Sequence, residues 1–380
     1  MTTKLYRLTL FAAVLTTSLA RHFGGGTINW KPVEGYKVEF VFKMGWTYGM
    51  GPGCTETKIG QFVNGPISGD QTAWKCTQGC TGRPIISNAS YYCMGANQLE
   101  RWEQGQMSFN YTFSNPGPFV AAFEGRKWMA LGHGKGSGPW RIATTIDLRT
   151  RSDTNTSNSS PVALSQVIYY MQYDCHHELQ IPVLDPDGDE VLCQWAKGNE
   201  CEAVCNGLRG ARLIEENCTI IFDSTATLGY KDGEMYGVAL TIHDYPQTAI
   251  TLGGQDRKTP MDSLSSVPLQ FLIRTPAFPT ACNERPRFVS STPQQGSKLT
   301  AQAGDTVSIR VVADNSNDFT KKISSIDLMG PVDLHQSALM PDPGHTNTFF
   351  KALTWQTSSA DIGEHIVCAT AVNERRSVML

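Results

Sequence analysis

The feature that most constrains the fold of this chain is a two-residue alternation of apolar and polar side chains. Apolar residues occupy every second position from Tyr36 to Met44, and Lys37, Glu39 and Lys43 lie between them. This is the period of a half-buried β-strand, whose successive side chains point to opposite faces. No segment shows a convincing 3.6-residue period, so the sequence predicts an all-β protein built of sandwiches or jelly rolls.

The same pattern recurs along the chain. The turn at residues 32–35 places a strand at 27–30 beside the strand at 36–44, which predicts a hairpin. Further alternating segments predict strands at 142–149, 166–173, 179–183, 219–222, 236–243, 267–273, 306–312, 349–355 and 364–372.

Length and charge limit the class of protein. A chain of 380 residues is long enough for two or three domains, and 40% hydrophobic residues can fill their cores. The formal net charge of −3 gives no overall basic footprint, which disfavours nucleic acid as a partner.

The first residues predict a signal peptide and therefore an extracellular protein. Lys4 and Arg7 precede an apolar stretch, and Ser18-Leu19-Ala20 supplies the small residues that a signal peptidase requires. We expect residues 1–20 to be removed, so that the mature chain begins at Arg21. No later apolar run approaches the length of a membrane span, so no anchor in the bilayer is expected.

An internal repeat predicts the order of the domains. In both copies an alternating strand runs into an Asp-rich turn, and a later strand follows an acidic, Gly-containing turn that ends on Tyr236 or His365. An aromatic residue there resembles the tyrosine corner of immunoglobulin-like sandwiches. We expect a Trp-rich, jelly-roll-like β domain at 21–173, an immunoglobulin- or cadherin-like sandwich at 174–278 and a second immunoglobulin-like sandwich at 279–380. The polar run 151–161 is either another boundary or a glycosylated loop.

In an oxidising compartment the eleven cysteines are disulfide candidates. They divide into four, five and two along the three domains, so the odd cysteine is expected in the middle group. Cys175 is the first candidate for a bond across domains or between chains. The candidates are Cys54, Cys76, Cys80, Cys93, Cys175, Cys193, Cys201, Cys205, Cys218, Cys282 and Cys368.

Five Asn-x-Ser/Thr sequons are candidates for N-glycosylation. The alternation around residue 110 places that asparagine on the solvent face of a strand, where a glycan fits. The five are Asn88, Asn110, Asn155, Asn158 and Asn217.

The turn Asp185-Pro-Asp187-Gly188-Asp189 has two interpretations. Alternating carboxylates are typical of the start of a calcium loop, which makes Ca²⁺ the one cofactor we consider. The chain has Gln at position 194, where an EF-hand needs Glu, so that motif is rejected. The alternative is a tight turn in which the Asp side chains bond the local backbone.

Tryptophans concentrate in the first domain and suit either core packing or flat contact with sugars and partner surfaces. The six candidates for such contact are Trp30, Trp46, Trp74, Trp102, Trp128 and Trp140.

No catalytic site is predicted. His176 and His177 are adjacent on a predicted strand and should point to opposite faces, so they do not readily share a metal ion. The glycines at 132–138 lack the Gly-Lys-Ser/Thr order of a phosphate-binding loop.

The last segment, Arg376 to Leu380, matches only the first half of the strand Ser265 to Arg274 in the earlier repeat. One interpretation is a gene fragment or a short final strand. The other is an acceptor groove that another copy fills, with residues 21–30 as the donor strand, which would build a head-to-tail filament.

Several motifs in this order resemble a largely uncharacterised family of secreted or cell-surface β-rich proteins, known from invertebrates and with relatives in gliding bacteria. The resemblance implies an extracellular, disulfide-bonded adhesion or matrix-like protein with no catalytic residue to carry over, and longer relatives that continue past this end. The motifs are His22-Phe-Gly-Gly-Gly-Thr-Ile-Asn-Trp30, Arg151-Ser-Asp153, Asn158-Ser-Ser-Pro161, Ile181-Pro-Val-Leu-Asp185-Pro-Asp-Gly-Asp189, Cys193-Gln-Trp195-Ala196, Glu200-Cys201 with Cys205, and Val267-Pro-Leu-Gln-Phe271.

Together these observations predict a secreted glycoprotein with a structural or adhesive role and no enzymatic activity. Its expected partners are further copies of itself or other matrix and surface proteins. A carbohydrate-binding function of the Trp-rich domain is the alternative.

Overall fold

The computed structural model describes residues 23–65, 73–133, 138–278, 282, 285–289, 291–315, 322–331, 333–343, 345, 347–373 and 378–379. The predicted signal peptide lies outside these residues. Within them the chain is all-β, as predicted: it contains strands and short 3₁₀ helices but no α-helix. The 3₁₀ helices are Glu56–Lys58, Gly198–Glu200, Glu215–Asn217, Ala226–Leu228 and Ser359–Asp361. None of the described helices is long and apolar enough to cross a membrane.

The strands follow one another along the whole chain. The first part of the chain contains β1 (Phe23–Glu34), β2 (Lys37–Thr47), β3 (Phe62–Val63), β4 (Ala73–Gln78), β5 (Ile85–Asn88), β6 (Tyr91–Asn97), β7 (Trp102–Thr112), β8 (Phe119–Gly125), β9 (Trp140–Ile146), β10 (Val162–Ala163) and β11 (Ile168–Tyr170). The middle part contains β12 (His176–Gln180), β13 (Val183–Leu184), β14 (Glu190–Trp195), β15 (Arg212–Ile214), β16 (Thr219–Asp223), β17 (Met235–Tyr245), β18 (Ile250–Leu252), β19 (Asp256–Lys258) and β20 (Ser265–Arg274). The last part contains β21 (Arg287–Phe288), β22 (Thr306–Asp314), β23 (Ile323–Met329), β24 (His335–Gln336), β25 (Met340–Pro341), β26 (Thr348–Gln356), β27 (Cys368–Asn373) and β28 (Val378–Met379).

The first sandwich is one sheet folded over an aromatic core. Strands β3-β6-β7-β2-β1 form one layer, and β9-β8-β4-β5 form the other. The ring of Phe42 on β2 lies 5.5 Å from that of Trp74 on β4. Similarly, Trp46 lies 5.8 Å from Trp140 on β9. Large flat rings that alternate along the strands therefore fill the space between the two layers.

A strand from the middle of the chain joins these two layers. β20 pairs with β1 at Gly26↔Gln270 and with β9 at Ser266↔Thr145. It also pairs with β17 along its whole length and with β11 in the parallel direction. The largest sheet among the described residues therefore continues across the predicted boundary at residues 173 and 174.

The middle sandwich packs the sheet β12-β16-β15 against β14, β17 and β20. Its tyrosine corner is present, since the hydroxyl of Tyr236 accepts the backbone N–H of Lys231 at 2.8 Å. Such a bond back to the preceding turn is typical of immunoglobulin-like sandwiches.

The third sandwich has the same plan. The sheet β21-β22-β26-β24, with β25 beside β26, faces β23-β27-β28 across a core that includes Ile326, Leu353 and Trp355. Nε2 of His365 lies 2.9 Å from the carbonyl oxygen of Asp361, so this histidine also contacts the preceding turn, but through a carbonyl group rather than through a backbone N–H as Tyr236 does. The aromatic position of the repeat therefore contacts the preceding turn in both copies, although Tyr236 is buried and His365 is exposed.

The N-terminal segment does not act as a donor strand for another copy. Residues 23–34 form β1, which lies between β2 and β20 of the same chain, and both Phe23 and Trp30 are buried. The sequence-based expectation was wrong on this point, because the glycines that permit a close approach serve the chain's own sheet. A Cβ on Gly25 would lie 2.3 Å from the carbonyl oxygen of Gln270.

We predict that Gly25→Ala lowers the free energy of unfolding by about 3 kcal/mol. Gly25 has a φ of +132°, which L-residues rarely adopt, and the added methyl group would push β1 away from β20. Thermal and urea unfolding followed by tryptophan fluorescence would measure the change.

Gly35→Ala is the matched control. Gly35 also has a positive φ, of +57°, but a Cβ there would meet nothing within 4 Å. Gly35→Ala should lower the free energy of unfolding by only about 1 kcal/mol, since backbone strain is the sole penalty there. Equal losses in the two variants would contradict the close packing of β1 against β20.

Candidate functional site

The most unusual chemistry in the described residues surrounds the Asp-rich turn between β13 and β14. Oδ1 of Asp185 accepts the backbone N–H groups of Asp187 at 2.9 Å and Asp189 at 3.1 Å. Gly188 supplies the positive φ of +79° that the turn needs. The local backbone bonds of the tight-turn interpretation are therefore present.

A buried arginine lies against this turn. Nη2 of Arg151 donates to Oδ1 of Asp189 at 2.8 Å and to Oδ2 of Asp153 at 2.8 Å. Nη1 donates to Oδ2 of Asp189 and, at 2.6 Å, to Oδ1 of Asn158. The side chain of Arg151 is only 1% exposed, so water does not solvate its guanidinium group. These partners therefore compensate its positive charge.

A further carboxylate lies behind the arginine. Asp244, at the end of β17, accepts Nδ2–H of Asn158 at 2.6 Å and the backbone N–H of Ser265 at 2.6 Å. The backbone N–H of Ser159 donates to Oδ2 of Asp187 at 2.5 Å. Both ends of the segment 151–161 are therefore buried and held by this network. The sequence had indicated a linker or an exposed loop for this segment.

Carboxyl groups outnumber the cation in this cluster. Asp153, Asp185, Asp187, Asp189 and Asp244 surround the single guanidinium of Arg151. Burial raises the pKa of Asp185 to about 8, and the nearby Asp244 carboxylate adds to the shift. Burial likewise raises the pKa of Asp244 to about 6. Excess negative charge in a water-poor site favours either a bound proton or a bound cation.

The arrangement can accommodate a cation. Asp185 is 6% exposed, and its Oδ2 atom is buried without a hydrogen-bond partner in the described structure. Asp185, Asp187 and Asp189 each offer an oxygen, and these ligand atoms lie within 4.8 Å of one another. Ca²⁺ prefers carboxylate oxygens and takes 6 to 8 of them together with carbonyl oxygens and water. Calcium at this turn stays a prediction.

The predicted glycosylation sites divide into two groups. Asn88, Asn110, Asn155 and Asn217 are exposed, and whether they carry glycans stays a prediction. Asn158 is 2% exposed, and its amide nitrogen donates to Asp244 and to the carbonyl oxygen of Ser159. A glycan on that nitrogen would have no path to solvent, so the expectation for Asn158 was wrong.

Five of the six tryptophans proposed for contact with sugars are core residues. They are Trp30, Trp46, Trp74, Trp128 and Trp140, each 5% exposed or less. Trp102, at the start of β7, is half-buried. A flat sugar-binding surface built from several of these tryptophans is therefore not present in the described residues.

Ten of the eleven cysteines form disulfides. Cys175 bonds Cys282 across the predicted boundary at residue 279, which agrees with a bond between domains. The unpaired thiol is Cys368 on β27 rather than a cysteine of the middle group, and burial raises its pKa to about 11. The other pairs are Cys54–Cys93, Cys76–Cys80, Cys193–Cys218 and Cys201–Cys205.

The two adjacent histidines do point to opposite faces of β12. His176 is exposed and lies 2.8 Å from Oδ1 of Asp223, whereas His177 is buried against Ser224 and the carbonyl oxygen of Gln172. Burial lowers the pKa of His177 to about 4, so this histidine is neutral at physiological pH. Neither arrangement indicates a shared metal ion.

Sequence reasoning had not assigned Arg151, Asn158 and Asp244 to the acidic turn. Arg151 and Asn158 stand in a polar run that is rich in Ser, Thr and Asn, a composition typical of exposed loops. Only the three-dimensional contact with the turn reveals that the run is partly buried.

Comparisons with known proteins match part of this chain to integrin beta-like proteins. Residues 24–149, less than half of the chain, match the family model of the N-terminal region of integrin beta-like proteins A–E. Integrin beta-like protein A of Dictyostelium discoideum is 24% identical over 198 residues, which cover 48% of this chain and 9% of that protein. The chain therefore spans a small part of that relative's length. The motifs that carry the resemblance to the uncharacterised secreted family stay predictions.

Two solved structures align over most of the chain at low similarity. The eight N-terminal immunoglobulin domains of Down syndrome cell adhesion molecule isoform 1.30.30 align with a TM-score of 0.18 and 10% identity, over 93% of this chain and 36% of that one. Immunoglobulin domains 1–5 of sidekick-1 align with a TM-score of 0.17 and 13% identity, over 92% of this chain and 70% of that one.

We predict that Ca²⁺ raises the melting temperature of this protein by roughly 5 °C, since a ligand that binds only the folded state at about 100 times its Kd contributes about 2.7 kcal/mol. Differential scanning calorimetry with Ca²⁺ and with EDTA would measure the shift. Asp187→Asn should remove most of it, because that variant loses one of the three carboxylates.

The control is Asp333→Asn, which changes an exposed acid outside the cluster and should keep the full shift. A wild-type melting temperature that is the same in Ca²⁺ and EDTA would exclude the calcium site.

Proposed function

We propose that this protein is an extracellular adhesive or structural glycoprotein. The observation that carries the proposal is the match of residues 24–149 to the N-terminal region of integrin beta-like proteins A–E. Five disulfides among the described residues support an oxidising compartment outside the cytosol. The predicted signal peptide agrees with that location.

In this proposal bound calcium stabilises the junction of the first two sandwiches. The acidic turn lies before β14, Asp244 is the penultimate residue of β17 and Ser265 begins β20. Arg151 belongs to the segment that follows β9. A cation bound by Asp185, Asp187 and Asp189 would offset the buried negative charge there and stiffen the joint.

The protein acts by contact rather than by catalysis in this proposal. Its partners are other copies of the chain or other matrix and surface proteins. Two finer versions are not part of this proposal. Strand addition through residues 21–30 is one, because the described residues of that segment, 23–30, form part of β1. Sugar binding by the five buried tryptophans is the other.

Beads coated with the purified chain test the proposal. Two bead populations with different dyes are mixed with each other, and separately with animal cells or a deposited extracellular matrix. We expect either mixed-colour clusters, which indicate self-adhesion, or beads retained on the cell or matrix surface.

The control beads carry the same chain after its disulfides are reduced and alkylated, which removes the fold but keeps the composition. The proposal fails if the native coat neither clusters beads nor retains them above this control.

A further inference from the structure

A partly enclosed cavity of about 150 Å³ lies where the third sandwich meets the first two. Trp102 and Gln104 of β7 line one side, and Gln166, just before β11, lines another. Asp327 on β23 and Thr370 on β27 line the side that belongs to the third sandwich.

The third sandwich contributes the outer face of one of its sheets. Ile326 and Leu328 on β23, together with Ala371 on β27, fill its own core. Because side chains alternate along a strand, Asp327 and Thr370 project from the opposite face toward the first two sandwiches. Polar residues that would ordinarily meet water are therefore enclosed at this joint.

Three of the side chains that line the cavity carry polar atoms without a partner. They are Nε1 of Trp102, Nε2 of Gln166 and Oγ1 of Thr370, and each atom is buried. Gln166 is 7% exposed and Thr370 only 2%. Folded proteins rarely leave buried donors unpaired, and here three from separate parts of the chain meet at one cavity. Such convergence indicates a space that holds a hydrogen-bonding occupant.

The charges of the lining define the occupant further. Asp327 is the one acidic residue of the lining, and the ammonium groups of Lys43 and Lys351, which lie outside the lining, interact electrostatically with its carboxyl group. Because these two lysines offset the charge of Asp327, the lining has no excess charge that would hold an anion or a cation, and the unpaired donors of Trp102, Gln166 and Thr370 call for a neutral acceptor. Hydroxyl groups suit this lining, because each can accept a hydrogen bond from those donors and donate one to the Asp327 carboxyl group.

Size and shape agree with a sugar ring. The volume equals that of about five water molecules in the liquid, which suits a single ring but not a longer saccharide. The indole of Trp102 adds a flat surface with a donor at its edge, which is suited to a ring that has one apolar face.

We propose that this cavity binds one uncharged sugar residue of a glycan. The site goes beyond the proposed adhesive function, since it requires neither calcium nor self-association. It also differs from a surface of exposed tryptophans, because Trp102 contributes here together with residues of the third sandwich.

Titration of the complete chain with uncharged monosaccharides tests the site. The probes are glucose, galactose, mannose, fucose and N-acetylglucosamine, followed by saturation-transfer NMR and calorimetry. We expect at least one to bind with a Kd in the millimolar range, as is usual for a ligand of this size. Thr370→Val, which removes one donor and keeps the shape, should weaken binding of that sugar about tenfold. Trp102→Phe, which removes the indole N–H together with part of the flat surface, should weaken it by at least as much.

Thr27→Val is the matched control. The Oγ1 atom of Thr27 is also buried without a partner, but it lies on β1 outside the cavity. Both threonine variants should fold with unchanged or higher melting temperatures, and only Thr370→Val should lose sugar. The proposal is overturned if no probe binds, in which case water alone fills the cavity. It is equally overturned if both cavity variants bind like wild type, or if Thr27→Val weakens binding as much as Thr370→Val.

Discussion

The pairing of β20 with strands from two sandwiches is the constraint on which the rest of this structure depends. β20 forms the centre of the middle sandwich through β17, and it also joins the layers of the first sandwich through β1 and β9. Without β20, the first sandwich would be open between β1 and β9, since each of these strands would present an unpaired edge. Gly25 permits the contact because no side chain fits between β1 and Gln270.

The two candidate sites both lie where sandwiches meet. The acidic turn, Arg151 and Asp244 connect the segment after β9 with β14, β17 and β20. The cavity lined by Trp102, Gln166 and Thr370 lies at the contact with the third sandwich. Junctions between β-sandwiches collect polar side chains from the outer faces of sheets, and enclosure then perturbs their hydrogen bonding and pKa values. Ligand-binding chemistry can arise there without any catalytic machinery.

Local patterns predicted much of the secondary structure. The hairpin of β1 and β2, the long strands β17, β20, β22 and β26, and the corner residues Tyr236 and His365 all follow from alternation and turn chemistry in the sequence. Short strands such as β3 and β5 were missed, because too few residues lie between their turns to show a period.

Long-range pairing and burial could not be predicted. The sequence does not show that a strand at 265–274 closes the sheet of the first sandwich, since register between distant strands leaves no local signal. Asn158 looks like a sequon in a polar loop, yet it is buried because Arg151 and Asp244 lie on either side of it. Similarly, an isolated tryptophan gives no indication whether it faces a core, and Trp102 differs from Trp74 only in its surroundings.

Native-state hydrogen exchange of the complete chain tests the central claim most directly. If β20 unites the first two sandwiches, amides of β1 and β9 should exchange only through the same cooperative opening as those of β17, with the same dependence on denaturant. Gly25→Ala should then lower the protection of all three strands together. An opening that exposes β1 and β9 while β17 and β20 stay fully protected would show that the two sandwiches fold independently, and would contradict the account.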